Sequence, residues 1–285
     1  MRQWTPVAAP RGLGDHARHA CSPAYRQSQM TGYIQGRNVS LTFRPPNRTP
    51  VRALGGFDID VEEGEFLSIV GPSGCGKSTF LTILLGLAKP DSGEVRMHGR
   101  RIGGPGSDRA MVFQEFGLLP WRTVRHNIEL GLELKRVPAE KRRAVAERLV
   151  ALVGLSGFEH HYPHELSGGM KQRVGLARAL ATDPEVLLMD EPFAALDAQT
   201  RDLMQVELLR IWREAKKTVL FVTHQIDEAI YLSDRVMVMS KRPGRAKRIF
   251  AIKLPRPREY EMRVTPEFND LKLEIWNTLK DEIVV

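Results

Sequence analysis

Apolar runs of four or five residues, each bounded by polar or turn-forming positions, recur along this chain. Runs of this length predict strands that are buried on both faces, as in a parallel sheet. Between two of them, apolar residues recur at helical spacing, so a helix with one buried face is expected there. Alternating strands and helices are typical of an α/β fold. The predicted strands are residues 66–70, 110–113, 186–189, 218–222 and 236–239, and the buried helix face is Met204, Leu208, Ile211 and Trp212.

Four regions do not follow this alternation. Residues 33–97 contain short predicted strands broken by turns. Residues 139–155 have apolar positions at helical spacing and predict a helix. Residues 1–32 are polar, contain Pro and have no period, so we predict a disordered extension there. Near the C-terminus a further helix is predicted, which either packs on the domain or regulates it, from the spacing of Phe268, Leu271, Ile275 and Trp276.

A glycine-rich loop joins the strand at 66–70 to an apolar helix. Residues 71–79 fit G-x-x-x-x-G-K-[ST], the pattern of a phosphate-binding P-loop. Its glycines let the backbone wrap around a polyphosphate with the N–H groups pointing inward. Lys77 adds a positive charge, and the Ser78 hydroxyl can reach a Mg²⁺ ion that bridges two phosphates. The predicted nucleotide contacts are Gly71, Pro72, Ser73, Gly74, Cys75, Gly76, Lys77, Ser78 and Thr79.

Two acidic residues follow the predicted strand at 186–189. Asp190 and Glu191 lie at its carboxyl end, where open parallel sheets gather their ligands. We expect Asp190 to bind the magnesium ion, because it directly follows the strand and lies along the same edge as the P-loop. Glu191 reaches further toward the γ-phosphate and is expected to act as general base on the attacking water.

Composition and charge narrow the range of partners. The net charge is +8, but residues 1–32 hold four Arg and one Asp, and residues 241–285 hold eleven Lys or Arg and seven Asp or Glu. The rest of the chain is therefore close to neutral, which argues against a nucleic-acid groove. Basic ends near an anionic membrane surface fit this distribution better.

The sequence also predicts a cytoplasmic location. No apolar run approaches the ~18 residues needed for a membrane span, and the N-terminal segment lacks the apolar stretch of a secretory signal. Two cysteines, Cys21 and Cys75, make a disulfide framework implausible, since Cys75 lies inside the P-loop.

Residues 166–169 form a second potential anion site. In Leu-Ser-Gly-Gly, a hydroxyl and two unobstructed N–H groups open a predicted helix. This stretch is the signature of the ATP-binding-cassette (ABC) family, which the chain resembles over about residues 33–250. The resemblance implies that two copies pair head to tail, with ATP between the P-loop of one copy and Ser167, Gly168 and Gly169 of the other. Met170 departs from the pattern, since many members have Gln there.

The resemblance also implies a fold. It is an α/β P-loop NTPase core with a mainly parallel, RecA-like sheet, an N-terminal antiparallel β subdomain and an α-helical insert. By this reading the ATPase domain is residues 33–250, the helical insert is about 115–170, and the C-terminal extension is 251–285.

Four further site residues are carried over from the family, each at a matching position. Gln114 matches the glutamine that contacts the metal and the attacking water. His224 matches the switch histidine at the γ-phosphate. Asp197, in Ala195-Leu196-Asp197, matches the loop that communicates between paired cassettes. Phe43 is the candidate for the aromatic ring that stacks on adenine, with Tyr33 as a competitor and a core role open for either.

The segment after Gln114 suggests a partner. Glu115-Phe116-Gly117-Leu118-Leu119-Pro120-Trp121 is unusually apolar for a loop, and exposed apolar clusters mark binding sites. It resembles the nitrate, sulfonate and taurine importer branch, as does the stretch 254–258. The resemblance implies integral membrane permease subunits docked at this loop, an extracytoplasmic solute-binding protein as an indirect partner, and a peripheral position on the cytoplasmic face of the inner membrane. The alternative is a loop that packs on its own helical insert.

Two functional alternatives stay open at this point. One is a soluble cassette ATPase with a mechanochemical role in DNA repair or translation, although such proteins generally carry a coiled-coil insertion or a second cassette. The other is a regulatory module that binds ATP without hydrolysing it, which Glu191 and His224 argue against. The transported solute is not specified by this chain.

Overall fold

The computed structural model describes residues 32–283. The predicted extension at 1–32, with Cys21, lies outside the described residues apart from Gly32. The strands of the described part are β1 Ile34–Phe43, β2 Val51–Val61, β3 Phe66–Val70, β4 Ser92–Met97, β5 Arg100–Arg101, β6 Arg109–Val112, β7 Val186–Asp190, β8 Thr218–Thr223, β9 Arg235–Met239 and β10 Ala246–Ala251. The helices are α1 Lys77–Leu84, α2 Val124–Leu134, α3 Ala139–Leu152, α4 Gly168–Ala181, α5 Ala198–Ala215, α6 Ile226–Leu232 and α7 Pro266–Lys280, with 3₁₀ turns at Pro163–Glu165 and Tyr260–Val264.

Two sheets organise the domain. The first is antiparallel and has the order β2-β1-β4-β5. The second has the order β10-β9-β3-β8-β7-β6, and its strands are parallel apart from the antiparallel pair β9-β10. The predicted α/β fold with a mainly parallel sheet and an antiparallel β subdomain is confirmed.

The parallel sheet is covered on both faces, which explains its apolar strands. Every residue of β3 and β8 is buried. Side chains alternate across β3: Phe66 and Val70 pack with the helices of one layer, whereas Leu67 and Ile69 pack with the antiparallel sheet and α1. The two layers therefore hold β3, and the loop that follows it, from both sides.

Some element boundaries differ from the sequence prediction. β6 ends at Val112, so Phe113 lies beyond it and is 47% exposed. α3 ends at Leu152 instead of residue 155, because the chain turns at Gly154, whose φ of 66° is in the left-handed region. The predicted C-terminal helix is α7, in which Phe268 and Ile275 are buried, Leu271 is half-buried and Trp276 is 48% exposed.

The strand order sets the position of the candidate site. β8 lies between β3 and β7, with Val70 paired to Thr223 and Asp190 paired to Val222. The residues that follow these three strands therefore meet at one edge of the sheet. α2 and α3 lie between β6 and β7 in the chain and pack together with α4. No helix in the described range 32–283 is long and apolar enough to cross a membrane.

Candidate nucleotide-binding site

The P-loop connects β3 to α1 as the sequence predicts. α1 begins at Lys77, and Gly76 is its N-cap with a φ of 115°. No side chain caps this helix end, so its first N–H groups are available to an anion. A Cβ at Gly76 would lie 2.8 Å from the Ala53 carbonyl oxygen. Glycine is needed there both for its backbone angle and for close packing against β2.

Lys77 is buried inside the loop. Its Nζ donates to the carbonyl oxygens of Gly71 at 2.9 Å and Pro72 at 3.1 Å, and the residue is only 6% exposed. Buried charges in proteins are normally paired with an opposite charge, yet within residues 32–283 the hydrogen-bond partners of this ammonium group are backbone carbonyls. This environment suits an anionic ligand.

Asp190 lies next to the loop, at the end of β7. The Ser78 hydroxyl is close enough to affect its titration. Burial raises the pKa of Asp190, while the Ser78 hydroxyl and the Lys77 charge oppose that shift and the Glu191 carboxylate adds to it. The P-loop and the strand-end acid are thus brought together as predicted.

Glu191 and His224 meet across the end of the sheet. Glu191 Oε2 lies 3.0 Å from His224 Nδ1, although the two residues are 33 positions apart in the chain. Glu191 has a φ of 44°, and its N–H donates to the Val222 carbonyl at 2.9 Å. A non-glycine residue in this region is uncommon and often marks a functional site. The arrangement can place a base and an imidazole beside a phosphate.

Oxygen donors at this edge fit a magnesium ion. Mg²⁺ prefers oxygen ligands and is usually bound through one or two carboxylates together with substrate phosphates. Ser78 and Asp190 provide a hydroxyl and a carboxylate side by side. The part of the chain that the structure describes contains no group of three or more His, Cys, Asp or Glu that could hold a metal. With these two protein oxygens, phosphate and water oxygens would supply the remaining ligands.

Gln114 lies near the same edge by register. Val112 of β6 pairs with Met189 of β7. Gln114 comes two residues after Val112, and Glu191 comes two residues after Met189, so the two residues lie at the same level of the sheet. Its side chain is exposed. The position is compatible with the predicted metal and water contact.

The two aromatic candidates for adenine stacking have different environments. Tyr33 is 8% exposed; its hydroxyl donates to Glu185 at 2.9 Å, and its ring packs edge-on against His98. Burial and the Glu185 carboxylate raise the pKa of Tyr33. Phe43, at the end of β1, is 50% exposed. Only Phe43 of the pair has a ring that is free to stack on a ligand.

The Ser-Gly-Gly turn begins helix α4, which packs near the edge of the parallel sheet formed by β6, away from the strand that precedes the P-loop. Ser167 is the N-cap of α4 and accepts from the Met170 N–H at 3.3 Å. α4 packs against α2, α3 and β6, whereas the P-loop follows β3, with β7 and β8 between. Asp197 caps α5 by accepting from the Thr200 N–H at 2.9 Å. Ser167 and Asp197 are exposed, Gly168 is half-buried and Gly169 is buried.

Arg242 is a neighbour of the P-loop that the sequence reasoning missed. It lies in the loop after β9, and its Nε donates to the Gly74 carbonyl at 3.1 Å. β9 pairs with β3 in the folded sheet, so the loop after β9 adjoins the P-loop, a neighbourhood that the sequence pattern did not reveal. A Cβ at Gly74 would lie 2.9 Å from the Arg242 guanidinium.

The loop at residues 116–123 is divided between the core and the surface. Phe116 and Leu118 pack against the core, while Trp121 is 72% exposed. Arg178 donates to the Phe116 and Gly117 carbonyls at 3.1 and 2.7 Å. The Asn127 amide fixes Leu119 through two further hydrogen bonds, of 2.8 and 3.1 Å. The loop therefore packs partly on its own helices and presents one tryptophan to solvent.

Known proteins are similar to this chain in sequence. Residues 54–194 match the family described as ABC transporter. An uncharacterized ABC transporter ATP-binding protein of Methanocaldococcus jannaschii is 54% identical over 91% of this chain and 96% of its own length. A nitrate import ATP-binding protein of Synechococcus elongatus is 44% identical over 90% of this chain and 94% of its length. A taurine import ATP-binding protein of Roseobacter denitrificans is 43% identical, with 88% and 95% covered.

Solved structures are similar as well. A dimeric ATP-binding cassette in a post-hydrolysis state bound to ADP and Pi has a TM-score of 0.67 and 34% identity, covering 78% of this chain and all of that one. CbiO1 of Clostridium perfringens, part of an ABC transporter complex, has a TM-score of 0.69 and 26% identity, covering 78% of this chain and 90% of that one.

Proposed function

Because this chain belongs to the ABC transporter ATP-binding family, and is therefore an ATPase, we propose that it powers an importer for a small anion or organic solute of the nitrate, sulfonate or taurine type. The nitrate and taurine import ATPases among its relatives support that branch. The relatives named as import ATP-binding proteins favour this function over a role in DNA repair or translation. The chain would act at the cytoplasmic face of the inner membrane, as the partner of separate permease subunits and, indirectly, of an extracytoplasmic solute-binding protein.

The observation that supports hydrolysis at this site most directly is the Glu191–His224 contact at the edge of the P-loop. We assign Glu191 as the general base that accepts a proton from the attacking water. His224 donates to the γ-phosphate and holds the Glu191 carboxylate in place. Lys77 neutralises the phosphates, and phosphoryl transfer depends mainly on such positioning and charge stabilisation.

The nucleotide contacts follow from the same assignment. Backbone N–H groups between Ser73 and Thr79 surround the phosphates, and the Phe43 ring stacks on adenine. Ser78, Asp190 and Gln114 provide the protein oxygens for Mg²⁺, which neutralises charge on the phosphates when bound. Domain bounds of 33–250 for the ATPase, about 115–170 for its insert and 251–285 for the extension are part of the proposal.

A complete site requires a second copy of the chain. The Ser-Gly-Gly turn lies on the insert side of the sheet, away from the P-loop. In a head-to-tail homodimer, Ser167, Gly168 and Gly169 of one chain would face the γ-phosphate held by the other, and the loop at Asp197 would lie between the copies. The dimeric cassette with ADP and Pi supports this assembly.

Trp121 is the proposed anchor for the permease. Arg178 and Asn127 hold the backbone of its loop, so the loop has little backbone freedom to lose on binding. Buried tryptophans are frequent hot spots of protein interfaces. An apolar pocket on a permease helix would therefore bind this side chain.

We expect Trp121→Ala to leave the ATPase rate of the isolated chain unchanged and to weaken permease binding by about 2 kcal/mol or more, as for an interface hot spot. Stimulation of hydrolysis by permease-containing proteoliposomes is the measurement. Trp276→Ala is the matched control, because Trp276 is a half-exposed tryptophan on α7. Full stimulation of the Trp121→Ala chain at wild-type affinity would show that the permease docks elsewhere.

A further inference from the structure

The residues on either side of His224 are fixed by a buried hydrogen-bond chain. Thr223 Oγ1 donates to Glu228 Oε2 and accepts from the Gln225 N–H at 3.1 Å. Thr223 precedes His224 and Gln225 follows it. The Thr223 hydroxyl therefore links the residues on the two sides of His224 to each other and to Glu228. His224 itself is half exposed. The position of its imidazole thus depends on the backbone that Thr223 fixes.

Glu228 is the centre of this chain. It lies in α6 and is 4% exposed. Its second oxygen, Oε1, accepts from Gln205 Nε2 of α5 at 2.9 Å. Burial raises the pKa of Glu228, and the hydrogen bonds from Thr223 and Gln205 oppose that shift. A buried carboxylate without such donors would be strongly unfavourable, so the two donors are needed to keep it in place.

Arg263 of the C-terminal extension fixes the Gln205 amide. Its Nη2 donates to Gln205 Oε1, which leaves the amide nitrogen pointing at Glu228. Its other nitrogen, Nη1, donates to Asp202 at 2.8 Å. A guanidinium has donors in a fixed fork, so Arg263 can hold Asp202 and Gln205 at once. Without Arg263, the neutral Gln205 amide could rotate and lose its hydrogen bond to Glu228.

The extension that carries Arg263 is itself firmly docked. The Arg263 guanidinium lies over the Tyr231 ring at 4.3 Å and over the Tyr260 ring at 4.8 Å. Tyr260 donates to Asp202 at 2.9 Å. Upstream, Arg258 Nη1 donates to the Ile230 and Tyr231 carbonyls at 2.9 and 3.0 Å. The extension therefore contacts α5 at Asp202 and Gln205 and α6 at Ile230 and Tyr231, the two helices that carry Glu228 and its Gln205 partner.

From this geometry we propose that Glu228 is a positioning residue for ATP hydrolysis and that Arg263, acting through Gln205, orients it. The chain Arg263–Gln205–Glu228–Thr223 transmits the position of the C-terminal extension to the loop that carries His224. This inference rests on the proposed role of His224 at the γ-phosphate. It gives the extension a function in turnover that a simple packing helix would not have.

The test uses the full chain and steady-state ATP hydrolysis. Glu228→Gln keeps the size of the side chain, but it has only one terminal oxygen, so it can accept from Thr223 or from Gln205 and not from both. We expect kcat to fall by about 10- to 100-fold, the range for a lost positioning contact. The KM for ATP should stay the same, because the P-loop is untouched. Arg263→Ala should lower kcat in the same way, and Arg263→Lys should restore part of it.

Coupling between the two positions separates this role from general destabilisation. If Arg263 acts through Glu228, the Arg263→Ala/Glu228→Gln double variant will be no slower than Glu228→Gln alone. Lys272→Ala is the control, since Lys272 joins α7 to Asp227 of α6 at 2.8 Å without touching Glu228. Its kcat should equal that of the wild type. Thermal unfolding of each variant verifies that it is folded.

His224→Ala distinguishes failure of the inference from failure of the proposed function. A slow His224→Ala chain beside a Glu228→Gln chain with wild-type kcat would overturn the positioning role and leave the assignment of His224 standing. Losses that simply multiply in the Arg263→Ala/Glu228→Gln chain would overturn the relay. Wild-type hydrolysis by His224→Ala would refute the histidine assignment and the inference together.

Discussion

Replacing Glu191 by Gln is expected to preserve ATP binding and to lower the hydrolysis rate by about two to four orders of magnitude, the contribution of a well-placed general base. The amide has the same size and can still bond to His224 Nδ1, 3.0 Å from the carboxylate in the structure. It cannot take the proton of the attacking water. ATP affinity is measured with a fluorescent analogue, and hydrolysis by phosphate release in a single turnover.

Glu147→Gln is the matched control for that substitution. Glu147 is an exposed residue of α3. Its change to Gln removes one negative charge at a position away from the sheet edge, so the rate of ATP hydrolysis should not change. Normal turnover by the Glu191→Gln chain would exclude Glu191 as the base. Loss of ATP binding would instead show that the carboxylate supports the structure of the loop.

Replacing Lys77 by Ala is expected to weaken nucleotide binding itself. The buried ammonium group is held by the Gly71 and Pro72 carbonyls, so it is already in place before a phosphate arrives. By comparison with other preorganised donors, its loss should cost about 3 kcal/mol of transition-state stabilisation, on the order of a hundredfold in rate. The dissociation constant for ATP should rise as well, in contrast to Glu191→Gln.

Titration of the Lys77→Ala chain with ATP provides the measurement. Lys89→Ala is its control, because Lys89 is an exposed lysine shortly after the same helix α1. An affinity and a rate equal to those of the wild type would refute the phosphate contact. A lowered melting temperature without nucleotide is compatible with the role, since Gly71 and Pro72 also lose a donor.

Much of the fold could be predicted because its signals are local. The strands β7, β8 and β9 are nearly continuous apolar runs, and only burial on both faces of a sheet favours that composition. The P-loop likewise depends on residues adjacent in sequence, with Lys77 and Ser78 opening the helix that the glycines precede. The position of Asp190 could also be predicted, since an acidic residue at the carboxyl end of a parallel strand lies at the edge of the sheet where ligands bind.

For two pairs of aromatic residues, only the burial seen in the structure shows which ring packs inside and which is exposed. Tyr33 and Phe43 are both aromatic residues near the start of the domain, and only the folded structure shows that Tyr33 is tied to Glu185 while Phe43 is exposed. In the 116–123 loop, Phe116 is drawn into the core and Trp121 is left outside. No periodicity distinguishes these two apolar residues, because the loop has none.

Contacts between distant residues could not be predicted from one sequence. Arg263 and Gln205 are 58 positions apart, and Gln205 and Glu228 are 23 apart. Their meeting depends on the packing of α5, α6 and the C-terminal extension. The spacing of Phe268 and Ile275 predicted a helix in that extension, but it carried no information about the surface on which the preceding turn would dock.

The central claim is that the P-loop is half of a site that a second copy completes. Sedimentation velocity of the Glu191→Gln chain with ATP tests it, because bound ATP is then trapped before hydrolysis. We predict an ATP-dependent dimer, and a monomer that still binds ATP when Ser167→Arg is added. A Glu191→Gln chain that stays monomeric with ATP bound, or a dimer unaffected by Ser167→Arg, would contradict the composite site.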